Sequence, residues 1–226
     1  MSSPNKAPSI LIPVIGMILF TFLAAFMAAY LTFSKGQGGN SFAVSGGYGT
    51  QSDMTEKFPL PEFTFNTSAG TKLTKQEMLG KVWAVDFIFT RCGGPCPAIT
   101  RNFVAFQALI PGGPNFRMLT ITVDPENDTP AVLAEYAKNF GANPEKWTFI
   151  SGPKKELYDF ITTGFKVVAM ENATDPNASI DDKFLHSTKV ALVDKQGNVR
   201  GYYEGSATEA AEWQKLRNDM LRLSAE

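Results

Sequence analysis

Hydrophobic positions in this chain change their spacing from one stretch to the next, and each change marks a segment. Ser9 to Phe33 carries no charge and is apolar almost throughout, a run longer than the ~20 residues that cross a bilayer as a helix. A cleaved signal peptide would have a shorter apolar core, about 7–15 residues, although Ser34-Lys35-Gly36 is a passable cleavage triplet. Residues 1–8 therefore read as an N-terminal tail and 9–33 as a transmembrane anchor. Residues 34–57 turn rich in Gly, Ser and Gln around Gly46-Gly47-Tyr48-Gly49, the composition of a flexible tether. As a random coil it would span on the order of 25 Å.

From Phe58 onward the pattern alternates between short apolar runs and helical periodicity, giving one domain over 58–226. Phe63-Thr64-Phe65 and Lys72-Leu73 are short strand candidates around Ser68-Ala69-Gly70. Val82 to Phe89 and Phe116 to Val123 are nearly continuous apolar runs, as strands covered on both faces should be. Between them, Ile99, Phe103, Phe106 and Ile110 recur at one-face helical spacing, with Pro97 expected at the first helical position. Pro111-Gly112-Gly113-Pro114 breaks that helix. Thr129-Pro130 opens another, with Leu133, Tyr136, Ala137 and Phe140 on its apolar face, and Asp128 reads as part of its cap. Trp147 to Ile150 is a strand and Pro153 to Thr162 a helix. Lys189 to Asp194 and Val199 to Glu204 form a hairpin about Lys195-Gln196-Gly197-Asn198, and Thr208 to Leu223 is the closing helix. Strands alternating with helices, then a hairpin and a helix, indicate a mixed α/β sheet.

Net charge is −1, so no basic footprint suggests nucleic acid. The composition matters more for what it restricts. The chain has two cysteines, Cys92 and Cys96, and one histidine, His186, so soft-metal or thiol chemistry has few other places to be. The cysteines lie where the strand ending Phe87-Ile88-Phe89 breaks through Gly93-Gly94-Pro95 into the helix. Both sulfurs are expected near a helix N-terminus, where partial positive charge favours thiolate. A disulfide closing so short a loop would restrain the unfolded chain little, so the spacing argues for chemistry over stapling.

Three motifs in order, Cys92-x-x-x-Cys96-Pro97 after an aromatic strand, Val123-Asp124-Pro125-x-x-Asp128-Thr129-Pro130, and His186-Ser187-Thr188 before a strand ending Leu192-Val193-Asp194, closely resemble the Sco family (Sco1/SenC). The resemblance covers roughly Phe58 to the C-terminus. It implies a membrane-tethered, thioredoxin-like copper-binding protein, with a central mixed sheet flanked by helices and one N-terminal transmembrane helix. Its function would be that of a metallochaperone for the dinuclear copper centre of cytochrome c oxidase. The implied copper ligands are Cys92, Cys96 and His186; the implied client is the copper-binding subunit of the oxidase, served by a copper donor and a thiol reductant. Many family members have Pro-Asp after the first cysteine where this chain has Gly93-Gly94, so no carboxylate role in the loop carries over. The slight excess of positive charge before the span and the absence of any Arg before Arg91 favour a bacterial inner membrane with the domain in the periplasm.

The same sulfurs admit a second function, thiol–disulfide exchange that reduces the copper-site cysteines of the oxidase subunit. Val85-Asp86-Phe87, with a cysteine six residues after the aspartate, is similar to thioredoxin, where an acid on the preceding strand assists proton transfer. Three residues separate the cysteines here instead of two. Asp86 is thus an auxiliary candidate, as is Asp124, which ends a buried strand at the edge expected to carry Cys92 and could orient copper(II). Zinc would need a fourth ligand beyond the three Cys/His side chains. A peroxidase or a purely structural anchored module would be further alternatives. The eight methionines are scattered and form no metal-binding arm.

Overall fold

A computed structural model describes residues 57–167, 170–171, 184–185 and 187–226, with Met27 alone upstream. Its centre is an eight-stranded sheet in the order β1-β10-β9-β4-β5-β6-β2-β3. These strands are β1 (Phe58–Pro59), β2 (Thr64–Thr67), β3 (Lys72–Thr74), β4 (Val82–Ile88), β5 (Phe116–Thr122), β6 (Trp147–Ser151), β9 (Lys189–Val193) and β10 (Asn198–Glu204). A separate antiparallel pair joins β7 (Met170–Glu171) to β8 (Phe184–Leu185). The helices are α1 (Lys75–Met78), α2 (Cys96–Leu109), α3 (Pro130–Phe140), α4 (Lys154–Phe165) and α5 (Ala210–Ala225).

β4, β5 and β6 pair in parallel, while the pairings of β4 with β9, β9 with β10, β6 with β2 and β2 with β3 are antiparallel. The mixed sheet expected from the element order is therefore present. Every residue of β4 is buried, which explains why its run is apolar but for Asp86: helices cover both faces. On one face Trp83, Val85 and Phe87 pack with Phe63, Phe65 and the α4 residues Phe160 and Phe165. On the other, Val82, Ala84 and Met118 meet Phe103 and Phe106 of α2, Leu133 of α3, and Trp213 and Leu216 of α5. Full burial of each Val, Leu, Phe or Met side chain among these contributes roughly 1.5–3 kcal/mol.

Strand ends decide where chemistry can happen. The parallel register Asp86↔Thr120 and Ile88↔Thr122 brings the C-terminal ends of β4 and β5 out together, and the segments that follow them are neighbours. The antiparallel register Trp83↔Val193 places the β9–β10 turn at the opposite edge. There Asp194 organises the turn: its Oδ1 accepts from the amides of Gln196 at 3.0 Å and Asn198 at 2.9 Å. Gly197 supplies the left-handed residue at φ 77°. Arg200 bridges Asp194 and Glu226 at 3.2 and 2.9 Å, tying the C-terminal helix to the hairpin.

The two-residue edge strand β1, the β7–β8 pair and the short helix α1 went unread in the sequence, being too brief for periodicity to register. Among the described residues no helix is long and apolar enough to cross a membrane. The expected anchor, apart from Met27, and the tether, apart from Lys57, lie outside them.

Candidate functional site

The segment leaving β4 turns at once. The Cys92 amide donates to the Phe89 carbonyl at 3.2 Å, and α2 then begins at Cys96, one residue before the expected Pro97. Pro95 takes the cap position and its carbonyl accepts from the amides of Ala98 and Ile99, both at 3.0 Å. Cys92 and Cys96 are free thiols and both are buried, Cys96 completely. They share a hydrogen bond.

That contact changes the electrostatics expected from sequence. The hydrogen bond to Cys92 and burial together push the Cys96 thiol well above its ordinary range, with the field of Asp86 adding to them. The positive helix end is thus outweighed, and Cys96 rests as a protonated thiol. The reason is tertiary: the helix terminus is legible in sequence, whereas a neighbouring sulfur and a covering core are not.

Asp86 lies within β4, 1% exposed. Its Oδ1 accepts from the Thr120 hydroxyl at 2.5 Å, and Thr120 Oγ1 in turn accepts from Trp147 Nε1 at 2.8 Å. Its Oδ2 is buried with no hydrogen-bond partner. Burial raises this carboxyl to about 7, against 3.8 in an open chain, so it straddles neutrality, and its field reaches Cys96. Trp147, the first residue of β6, thus anchors this relay. A second polar chain reaches α2 from the side. Thr100 donates to the Cys96 carbonyl at 2.9 Å and meets the Tyr136 hydroxyl at 2.8 Å.

Asp124 does reach the edge that carries Cys92. Its Oδ2 accepts from Arg91 at 2.7 Å and its Oδ1 from Asn127 at 2.8 Å. The sequence misjudged Asp128. The cap of α3 is Thr129, whose Oγ1 accepts from the Val132 amide at 3.4 Å. Asp128 is instead fully buried, accepting from the Thr90 amide at 3.1 Å, from the Thr90 hydroxyl at 2.5 Å, and from the Thr122 hydroxyl. Burial raises its carboxyl above the ordinary value. The available signal was the pair of threonines, Thr90 and Thr122, placed where apolar strands end.

His186 lies outside the described residues. The chain after it is described: Thr188 offers its carbonyl to the Gly205 amide at 2.8 Å. A Cβ at Gly205 would come within 2.7 Å of that carbonyl and 3.3 Å of Ile99 Cγ2. Asn102 of α2 donates to the carbonyls of Gly205 at 2.9 Å and Ala207 at 3.1 Å. The backbone two residues past His186 is therefore packed, through Gly205, against the first turns of the helix that begins at Cys96.

A mixed sheet covered on both faces, with a cysteine pair bridging strand end and helix start, defines a thioredoxin-like dithiol protein. Within that class the chain belongs to the SCO1/SenC family, whose model matches residues 52–221. The SCO1 protein homolog of Bacillus subtilis is 29% identical over 150 residues, which cover 66% of this chain and 75% of that one. The structure of BsSco, described as a member of the Sco family of cytochrome c oxidase assembly proteins with a disulfide switch, aligns at a TM-score of 0.62 with 26% identity. It covers 74% of this chain and 94% of its own. Bradyrhizobium japonicum ScoI, solved with copper bound, shares the fold at a TM-score of 0.61 and 22% identity, covering 74% of this chain and 99% of that one.

Proposed function

We propose that this chain takes up copper(I) through Cys92, Cys96 and His186 and passes it to the copper-binding subunit of cytochrome c oxidase. The observation that carries this reading is the pair of thiols in mutual contact, in a chain of the SCO1/SenC family. Copper(I) is soft and accepts low coordination numbers, which suits two sulfurs and one imidazole. Loading exchanges two thiol protons for one metal ion. The proton removed from Cys96 is held tightly, so uptake is favoured by higher pH. The packing of Thr188 against Gly205 and α2 supports His186 as the third ligand, because it anchors the chain two residues from it. Residues 9–33 act as the anchor of a bacterial inner-membrane protein, with 34–57 as tether and the domain in the periplasm.

The test is anaerobic titration of the intact protein in detergent against a coloured copper(I) competitor. One equivalent should bind to the reduced chain and none to the disulfide form. Equal affinity for wild type and Cys92→Ser/Cys96→Ser would refute the reading.

A second reading, reduction of the oxidase subunit's copper-site cysteines, draws support from Asp86. A buried carboxyl near 7 whose field reaches Cys96 is suited to accept a thiol proton at neutral pH. His186→Ala separates the two functions. Copper binding should weaken sharply while disulfide exchange survives; equal loss of both would defeat the separation.

A further inference from the structure

Cys92 closes a turn whose two central residues, Thr90 and Arg91, are both held from outside it. Asp128 takes the Thr90 amide and hydroxyl, and Asp124 takes the Arg91 guanidinium. The two aspartates belong to one small unit. The Asp128 amide donates to the Asp124 carbonyl at 2.8 Å. Thr122, the last residue of β5, accepts from the Asp124 amide at 2.9 Å while its hydroxyl donates to Asp128. The two restraints differ in strength. Arg91 is half exposed, and ion pairs of that kind hold weakly. Asp128 is sealed from water with three donors on it, where hydrogen bonds are strong and their loss is costly.

We propose that Asp128 is the positioning residue of the cysteine pair: it holds Cys92 against Cys96 and thereby sets the reduction potential of the dithiol. The proposal rests on the reading that the two cysteines act together. Cys96 is fixed by α2. Cys92 lies buried against the core at the end of the turn, ahead of the exposed Gly93 and Gly94. Thr90, two residues back, is where Asp128 grips that turn. On oxidation the two thiols give up two protons and two electrons as the S–S bond forms. Oxidised dithiothreitol accepts both and becomes its own dithiol. Sulfurs already held together lose less freedom on closing that bond, so the clamp favours the disulfide.

The experiment equilibrates the full chain in detergent with oxidised and reduced dithiothreitol and measures the disulfide fraction. Asp128→Asn should lower the equilibrium constant for disulfide formation roughly tenfold, about 30 mV toward easier reduction. Thr90→Val, which removes one donor and keeps the amide, should lower it by about threefold. Asp194→Asn, a buried carboxylate ordering the turn at the opposite edge, should lower the melting temperature and leave the potential in place. Constants for both Asp128→Asn and Thr90→Val equal to wild type would overturn the proposal. So would an equal shift in Asp194→Asn, which would reveal general loosening. If Asp128→Asn does not fold, Thr90→Val decides. A wild-type chain that forms no disulfide would instead sink the paired-cysteine reading on which the proposal stands.

Discussion

A carboxyl group inside a central strand costs the fold something, and Asp86 makes that cost depend on pH. In the unfolded chain it ionises near 3.8; in the fold it does so near 7, because burial penalises the charged form and only one oxygen has a donor. Between those values the folded state holds a proton that the unfolded state has released. The associated stability is fully present below about pH 4 and is lost as pH rises to 7. The shift corresponds to at most on the order of 4 kcal/mol. Asp86→Asn should therefore stabilise the protein at pH 8 and have little effect at pH 4, measured by denaturant unfolding at both values. A pH-independent difference between variant and wild type would count against a titrating Asp86. Its neighbourhood was half legible in the sequence. An aspartate in an apolar run stands out, but its partner Thr120 lies 34 residues away and meets it only through strand register.

At the scale of elements, long apolar runs and helical repeats were readable because each is a local consequence of burial on one or two faces. β4, β5, α2 and α3 were all legible to within a residue or two for that reason. Asp128 was not, since Asp-Thr-Pro satisfies the sequence rules of a helix cap whether or not the aspartate turns inward. The joint between β10 and α2 is equally nonlocal. Gly205 is required there because the Thr188 carbonyl leaves no room for a side chain. Gly205→Ala should destabilise the fold by about 1–3 kcal/mol, as overpacking against backbone does. Chemical denaturation measures this, and an unchanged midpoint would mean that the strand end can move aside.

For the whole molecule, the proposed anchor would confine the domain and the proposed client to one membrane surface. Encounter then gains from local concentration, as it does for linked binding modules. Released as a soluble periplasmic protein, the domain should support less oxidase assembly at native expression, with overexpression compensating in part. Oxidase activity and copper-site absorbance in a deletion strain complemented with either form provide the measurement. Full rescue by the soluble form would show that anchoring is dispensable; normal activity in the deletion strain would refute the assigned client.

The sheet carries two aspartate clasps at opposite ends, Asp124 with Asp128 beside the cysteines and Asp194 with Arg200 and Glu226 at the hairpin. They share no residue, and the buried strands lie between them. Adaptation can therefore act on the two ends separately. Substitutions that tighten the hairpin end can offset stability given up at the reactive end, so a lineage can retune its sulfur chemistry without first abandoning its fold.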